Sequence, residues 1–364
     1  MTKNPNNAAH NFLTYQTVLY LFLPNNVKIP KMNIVTVGGG SGTPVINEAL
    51  LLAGVKNITS IVTVMDSGGI TGRMRSDSKG EEVAYSDGLR TLLSLVDPKI
   101  RNSFKIKTLF ELLRKRNAKN EDLGYTIFSH YFDKDKGFGK IKAIFEQLTD
   151  LKFCGEVLPI TTGSTNLVFE TSTGQIFYGE HELDDKRMSA DMVKNIWLDP
   201  QVAAYGPSLA AIRNADLIFF CCGSLHGSIL ANLLPRGVSE ALRQSHAKKI
   251  LLTNLASGRN ETHDFTIPDF IRLFAKYSQN PRPLDLVIVP NISRGDFERK
   301  YPEVSARYRM EHSHFLGWEK TELARQATEL GIQIKTHAAT TIDPKKFRLR
   351  HDPSKLSKTL KALI

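Results

Sequence analysis

The sequence predicts a Rossmann-like α/β fold: a parallel sheet with helices on both faces and a helical insertion. Three observations carry this expectation. An apolar strand at 33–37 runs straight into Gly38, Gly39, Gly40, Ser41 and Gly42. Behind that turn Val45, Ile46, Ala49, Leu50 and Ala53 recur at helical spacing. The same step from strand through polar loop to helix then returns several times along the chain.

Each element follows in order. The second strand, Ile58 to Val64, ends at Met65, Asp66, Ser67, Gly68, Gly69, Ile70, Thr71, Gly72 and Arg73, a second glycine turn with an acid at its mouth. Two such turns at the carboxyl ends of adjacent strands imply one crevice between them. Asp87 to Val96 reads as a helix with Leu89, Leu92, Leu93 and Val96 on one face. Residues 103–150 are helix-rich and charged, a helical lobe (about 100–150) covering the crevice. Short strands follow at Gly155 to Thr161, Asn166 to Thr171 and Gln175 to His181, with Thr173-Gly174 making a hairpin. Next come a helix from Pro207 to Asn214, a strand from Leu217 to Cys221, the loop Gly223 to Ser228, and a helix from Ile229 to Leu234. A strand from Lys249 to Thr253 ends at Asn254 and the polar run Ser257 to His263, before a helix from Ile267 to Lys276. The strand Asp285 to Pro290 ends at Asn291. Several strands thus end in polar loops on one edge of the sheet.

Composition narrows the class. At 364 residues, 41% hydrophobic and 23% charged, the chain can bury a large core, and residues 32–356 read as a single domain. Residues 1–31 look foreign to it, an extension without fixed structure. Its apolar run Phe12 to Leu23 is too short and too interrupted to span a bilayer, so no membrane role is expected. The three cysteines make no disulfide framework, and Cys221-Cys222 reads as the end of a buried strand in a reducing cytoplasm. The formal charge of +11 is densest near the end, at Lys345, Lys346, Arg348, Arg350, Lys355, Lys358 and Lys361, with 357–364 a basic tail. No aromatic-interleaved basic motif or zinc-finger spacing accompanies it, so a small phosphorylated ligand and a solvated basic face explain the charge better than nucleic acid.

The chemistry of the turns points the same way. Glycines let backbone N–H groups approach an anion, and the helix behind them adds its positive end. Thr43 stands where a dinucleotide fingerprint needs Gly or Ala, and Asp66 opens a run of small residues followed by Arg73 and Arg75. That run suits a phosphate, or a metal-bridged phosphate, better than a ribose hydroxyl.

These motifs resemble, in order, those of one superfamily: the gluconeogenesis factor proteins (YvcK-type, UDP-N-acetylglucosamine-binding) and the 2-phospho-L-lactate transferases (CofD-type). The residues that carry the likeness are Gly38 to Gly42, Thr63 to Gly69 with Gly72-Arg73-Met74-Arg75, and Ser86-Asp87-Gly88-Leu89-Arg90. It continues through Ala215-Asp216-Leu217, Gly223 to Ile229, Asn254, Asn260-Glu261-Thr262 and Arg350-His351-Asp352-Pro353, and so spans about 33–356. The run Asp66 to Arg73 is similar to that of the YvcK-type branch, except that Ser67 replaces the usual second acid. The Gly-His-x-x-Gly-Asn run of that branch is missing, and His130 is the nearest candidate.

The resemblance implies a nucleotide-sugar-binding protein regulating carbon metabolism or cell-wall synthesis, cytoplasmic and homodimeric. The alternative is a transferase moving a 2-phospholactyl group from a guanosine diphosphate-linked donor to a deazaflavin acceptor. On either reading Gly38, Gly39, Gly40, Ser41, Gly42, Gly68, Gly69, Gly223 and Ser224 offer donors to a diphosphate that Arg73 or Arg75 neutralises. Asp66, the catalytic candidate, either coordinates a Mg2+ bridging that diphosphate or holds a hydroxyl of the sugar or acceptor, Asn254 and Thr262 orient base or sugar, and Tyr308 and Arg350 match positions contacting the nucleotide sugar.

Overall fold

Strands apolar along their whole length need cover on both faces, and the central strands of this protein have it. In the computed structural model, which describes residues 32–68, 83–117, 123–133, 135–149, 151–184, 191–258, 261–318, 320–343 and 347–364, every residue of the strand Ile34–Gly38 (β1) is buried. The expected extension at 1–31 lies outside the described residues.

From β1 the chain runs through α1 (Gly42–Leu52) to β2 (Ile58–Val62) and α2 (Ser86–Ser94). Three helices, α3 (Phe104–Leu113), α4 (Leu123–Tyr131) and α5 (Gly139–Thr149), precede β3 (Gly155–Pro159). Strands β4 (Asn166–Thr171), β5 (Ile176–Tyr178) and β6 (Val193–Asp199) make a separate antiparallel sheet. The main sheet resumes with α6 (Gly206–Arg213), β7 (Leu217–Phe220), α7 (Val238–Gln244), β8 (Lys248–Leu252), α8 (Ile267–Ser278) and β9 (Leu286–Pro290). After α9 (Arg294–Lys300), α10 (Pro302–Met310) and α11 (Lys320–Leu330), β10 (Gln333–His337) completes it. A hairpin of β11 (Thr340–Asp343) and β12 (Arg348–His351) leads to the last helix, α12 (Pro353–Lys361).

The seven strands of the main sheet are parallel, in the order β10-β9-β8-β7-β1-β2-β3. Both neighbours of β1 matter: the chain leaves it toward β2 and β3, then returns to its other side at β7. Right-handed crossovers running in opposite directions put α1 and α2 on one face and α7 and α8 on the other. Accordingly α1 packs with α2 and α12, while α8 packs with α7 and α11. The crevice at the carboxyl ends of β1 and β7 is the switch point of such a sheet, where ligands bind. Among the described residues no helix is long and apolar enough to cross a membrane.

Three local expectations need correction. The strand expected from Gln175 to His181 stops at Tyr178, and Glu180–Asp184 forms a 3-10 turn whose His181 bonds Ser67. The helix expected at Ile229 to Leu234 is a π turn, Leu225–Ile229, followed by a 3-10 turn, Leu230–Leu233. Its anchors explain the wider winding: Ser224 Oγ accepts the Gly227 N–H at 2.9 Å, and Asn232 Nδ2 donates to Gly38 O at 2.9 Å and Ser228 O at 2.7 Å. The basic tail at 357–364 instead completes α12 on α1 with Leu356 and Leu360 buried, because those leucines lie one turn apart and Asp352 caps the helix by accepting the Ser354 and Lys355 N–H groups.

Candidate functional site

The turn after β1 is shaped by two glycines. Gly40 has φ +59°, a left-handed conformation that a side chain resists. At Gly42 a Cβ would lie 1.4 Å from the Cys222 carbonyl oxygen, so the start of α1 abuts the chain leaving β7. This close approach brings the first glycine turn and the Gly223 loop to one place.

Between them lies a chamber of about 480 Å3, lined by Ser41, Gly42, Gly223, Asn254, Tyr308 and Arg350 among others. The loops after β1, β7 and β8 thus meet the helix α10 and the strand β12 at the crevice. Tyr308 is held there by a small apolar cluster with Leu255, Phe297, Phe315 and Leu349, in which the Phe297 and Phe315 rings stack 4.0 Å apart. Its hydroxyl accepts the Leu349 N–H at 3.0 Å, and the Arg348 guanidinium lies 5.6 Å from its ring centre. Glu311 pairs with Arg348 through two hydrogen bonds. Arg350 forms no ion pair among the described residues, and its guanidinium donates to the Leu349 carbonyl oxygen at 3.3 Å.

Other expected ligand donors are bonded within the protein. Asn254 grips one residue at both ends, its Oδ1 accepting the Gly223 N–H at 3.1 Å and its Nδ2 donating to Gly223 O at 2.6 Å. It lines the chamber but holds the loop. Ser224 Oγ donates to Glu261 Oε2 at 3.1 Å while capping the π turn. Thr262 is buried, and its hydroxyl accepts the Gly258 N–H at 2.6 Å. Neither lines the chamber.

On the β2 side, Asp66 Oδ1 accepts the Gly68 N–H at 2.8 Å and Oδ2 accepts the Ser86 hydroxyl at 2.9 Å. It stands at the same sheet edge but outside the first chamber. The Ser67 hydroxyl bonds His181 Nδ1 at 2.9 Å. Gly69 and Arg73 lie outside the described residues. His130 is exposed on α4, edge-on to Tyr131, and takes no part.

Two acids within the sequence motifs, Asp87 and Glu261, organise the site. Asp87 is buried, and its Oδ2 accepts the Gly40 N–H at 2.8 Å. Burial pushes its carboxyl above the ordinary value, against the pull of the Gly40 N–H and Arg90, with the nearby Asp66 charge adding to the rise. Glu261 accepts from Ser224 Oγ, from His226 N–H at 3.0 Å and faces His226 Nδ1 at 3.2 Å. Burial pushes the Glu261 carboxyl up, but the His226 and Ser224 bonds outweigh it and hold the group below its ordinary value. Asp87 sits in Ser86 to Arg90 and Glu261 beside Thr262, so their motifs were visible while their partners were not. Cys221 and Cys222 are buried and free, and burial raises both thiols, Cys222 to about 12, which rules out a thiolate at neutral pH.

Known proteins share this arrangement of chain. The family model described as 2-phospho-L-lactate transferase CofD matches residues 34–334. A gluconeogenesis factor of Bacillus subtilis is 28% identical over 340 residues, covering 92% of this chain and 98% of that protein. Another, from Halalkalibacterium halodurans, is 31% identical over 243 residues, covering 66% of this chain and 72% of that protein. A crystal structure of a UPF0052 family member from Bacillus halodurans superposes with a TM-score of 0.74 at 26% identity, over 90% of this chain and 99% of that one. With the family model matching most of its length and the same sheet in its structural neighbour, the chain belongs to the CofD family.

Proposed function

We propose that the protein binds a nucleotide diphosphate sugar of the UDP-N-acetylglucosamine kind and acts as a ligand-sensing factor in carbon metabolism or cell-wall synthesis. The observation that carries this reading is the chamber at the switch point, with the start of α1 on one side and, on the other, Tyr308 and Arg350, which has no ion-pair partner among the described residues. Helix amides and a guanidinium suit a diphosphate, while the aromatic and amide wall suits a base or sugar. The name of the relatives, gluconeogenesis factor, supports the part of this reading that concerns carbon metabolism.

Mg2+ fits as a companion of the diphosphate rather than as a resident ion. Among the described residues no three His, Cys, Asp or Glu side chains gather to hold a metal. Mg2+ commonly takes one or two carboxylates and completes its shell with phosphate oxygens and water. Asp66 would supply the carboxylate, and the ion would neutralise ligand charge. A second copy of the chain is the proposed partner, in the cytoplasm.

Calorimetric titration with UDP-N-acetylglucosamine, with and without Mg2+, tests the proposal. Saturable binding that Arg350→Ala weakens supports it; no heat with any uridine or guanosine diphosphate compound dismisses it. The matching family model favours a second reading, transfer of a phospholactyl group to a deazaflavin hydroxyl. Incubation with the guanosine-linked donor and a deazaflavin distinguishes it by product formation.

A further inference from the structure

A second chamber, also about 480 Å3, lies on the other side of Ser41, between α1, α2, α3 and α4. We propose that it binds a small phosphate monoester with an apolar body, independently of the ligand of the first chamber.

The charge balance selects the head group. Four cations line the chamber: Arg90, Arg101, Lys107 and Arg114. Arg90 faces Asp87 at 3.4 Å and Arg101 faces Glu48 at 3.0 Å, so each has its own carboxylate. Lys107 and Arg114 form no ion pair among the described residues, and two turns of α3 separate them, which places them on one face. Two cations on one wall, neither in an ion pair among the described residues, match one dianion. A guanidinium beside an ammonium grips phosphate by a fork and a point charge.

The floor selects the body. Leu93, Leu113 and Tyr125 are buried at the chamber base, with Phe110 half-buried beside them. Apolar walls weaken solvent screening of the cations above them and gain from covering by an apolar ligand. A volume of this size holds a compact ring system with one head group. The first chamber differs in kind, since backbone turns and one guanidinium make its anion site.

The test uses 2-naphthyl phosphate as the probe, titrated into the full chain by calorimetry. Saturable binding is expected, weakened at least tenfold in the double variant Lys107→Glu, Arg114→Glu and by a smaller factor in Lys107→Gln, Arg114→Gln. Both side chains are exposed, so the melting temperature of either variant should stay close to that of the wild type. Uncharged 2-naphthol should bind at least tenfold more weakly than the phosphate, and Arg350→Glu should leave the phosphate affinity unchanged. The proposal is overturned by absence of saturable binding at millimolar probe, by equal affinity in wild type and both double variants, by equal affinity for naphthol, or by loss of binding in Arg350→Glu. None of these outcomes depends on whether a nucleotide sugar occupies the first chamber, so the two readings fail separately.

Discussion

The Asp87 carboxylate closes the Gly40 N–H at 2.8 Å, so the left-handed turn at the mouth of α1 is held by an acid from the next helix but one strand away. Burial raises this acid on folding. The folded state therefore holds its proton more tightly than the unfolded one, and ionisation opposes folding as pH rises above the ordinary carboxylate range. Asn at this position keeps the acceptor without the charge. Asp87→Asn should melt at or above the wild-type temperature at pH 7, whereas Asp87→Ala, which leaves the Gly40 N–H without its partner, should lose about 1–3 kcal/mol in urea unfolding.

Stability should also fall in mild acid because of two histidines. His337 and His351 are buried with rings 5.1 Å apart. His337 Nδ1 accepts the Ala339 N–H and His351 Nε2 donates to the Thr253 carbonyl, so the tautomers assigned from these bonds leave a donor on one ring and an acceptor on the other. Burial lowers His337 to about 4; burial, with the charge of His337, lowers His351 to about 3. The unfolded chain takes up these protons from about pH 6.5 downward while the folded chain does not, so stability drops between about 6.5 and 4 by roughly 3 kcal/mol for each histidine. Melting curves across that range should show the drop, and His351→Gln, which keeps the donor to Thr253, should flatten it.

Glu261 gathers three donors in the π turn. Glu261→Ala would leave the Ser224 hydroxyl and both His226 groups without it, at a cost of about 3 kcal/mol. Hydrogen exchange at Gly227 should quicken in this variant. Unchanged protection there would show that Ser224 and Asn232 hold the turn without Glu261.

Gly42→Ala should be among the most damaging single-methyl additions in the chain. The added carbon would meet the Cys222 carbonyl at 1.4 Å, so α1 must shift away from β7. A loss of about 3 kcal/mol or more is expected from overpacking, read as a lower denaturant midpoint. A variant as stable as wild type would mean that the two turns are not tightly apposed.

Chemical removal of divalent ions provides a last check on Asp66. If Mg2+ accompanies the diphosphate, EDTA should weaken nucleotide-sugar binding in the wild type and have no further effect in Asp66→Ala. A drop of equal size in both would remove Asp66 from that role.

Local pattern alone determined the fold class of this protein, because an apolar strand running into a glycine turn and then a 3.6-residue stripe leaves few alternatives, as at Ile34 to Leu52. The positions of the strand-end loops were legible for the same reason, including those that meet around Ser41, Gly223 and Asn254. Tertiary structure decided what the polar side chains do. Asn254, Ser224 and Thr262 read as ligand donors by type, yet each is engaged by a backbone or carboxylate partner close to it in space, two of them across gaps of more than 30 residues. Lysines at the end of the chain read as a tail by charge, whereas the leucines between them find α1 and make a helix. Hydrogen-bond partners and helix contacts depend on distances between segments far apart in sequence, and those distances exist only once the sheet has ordered its strands.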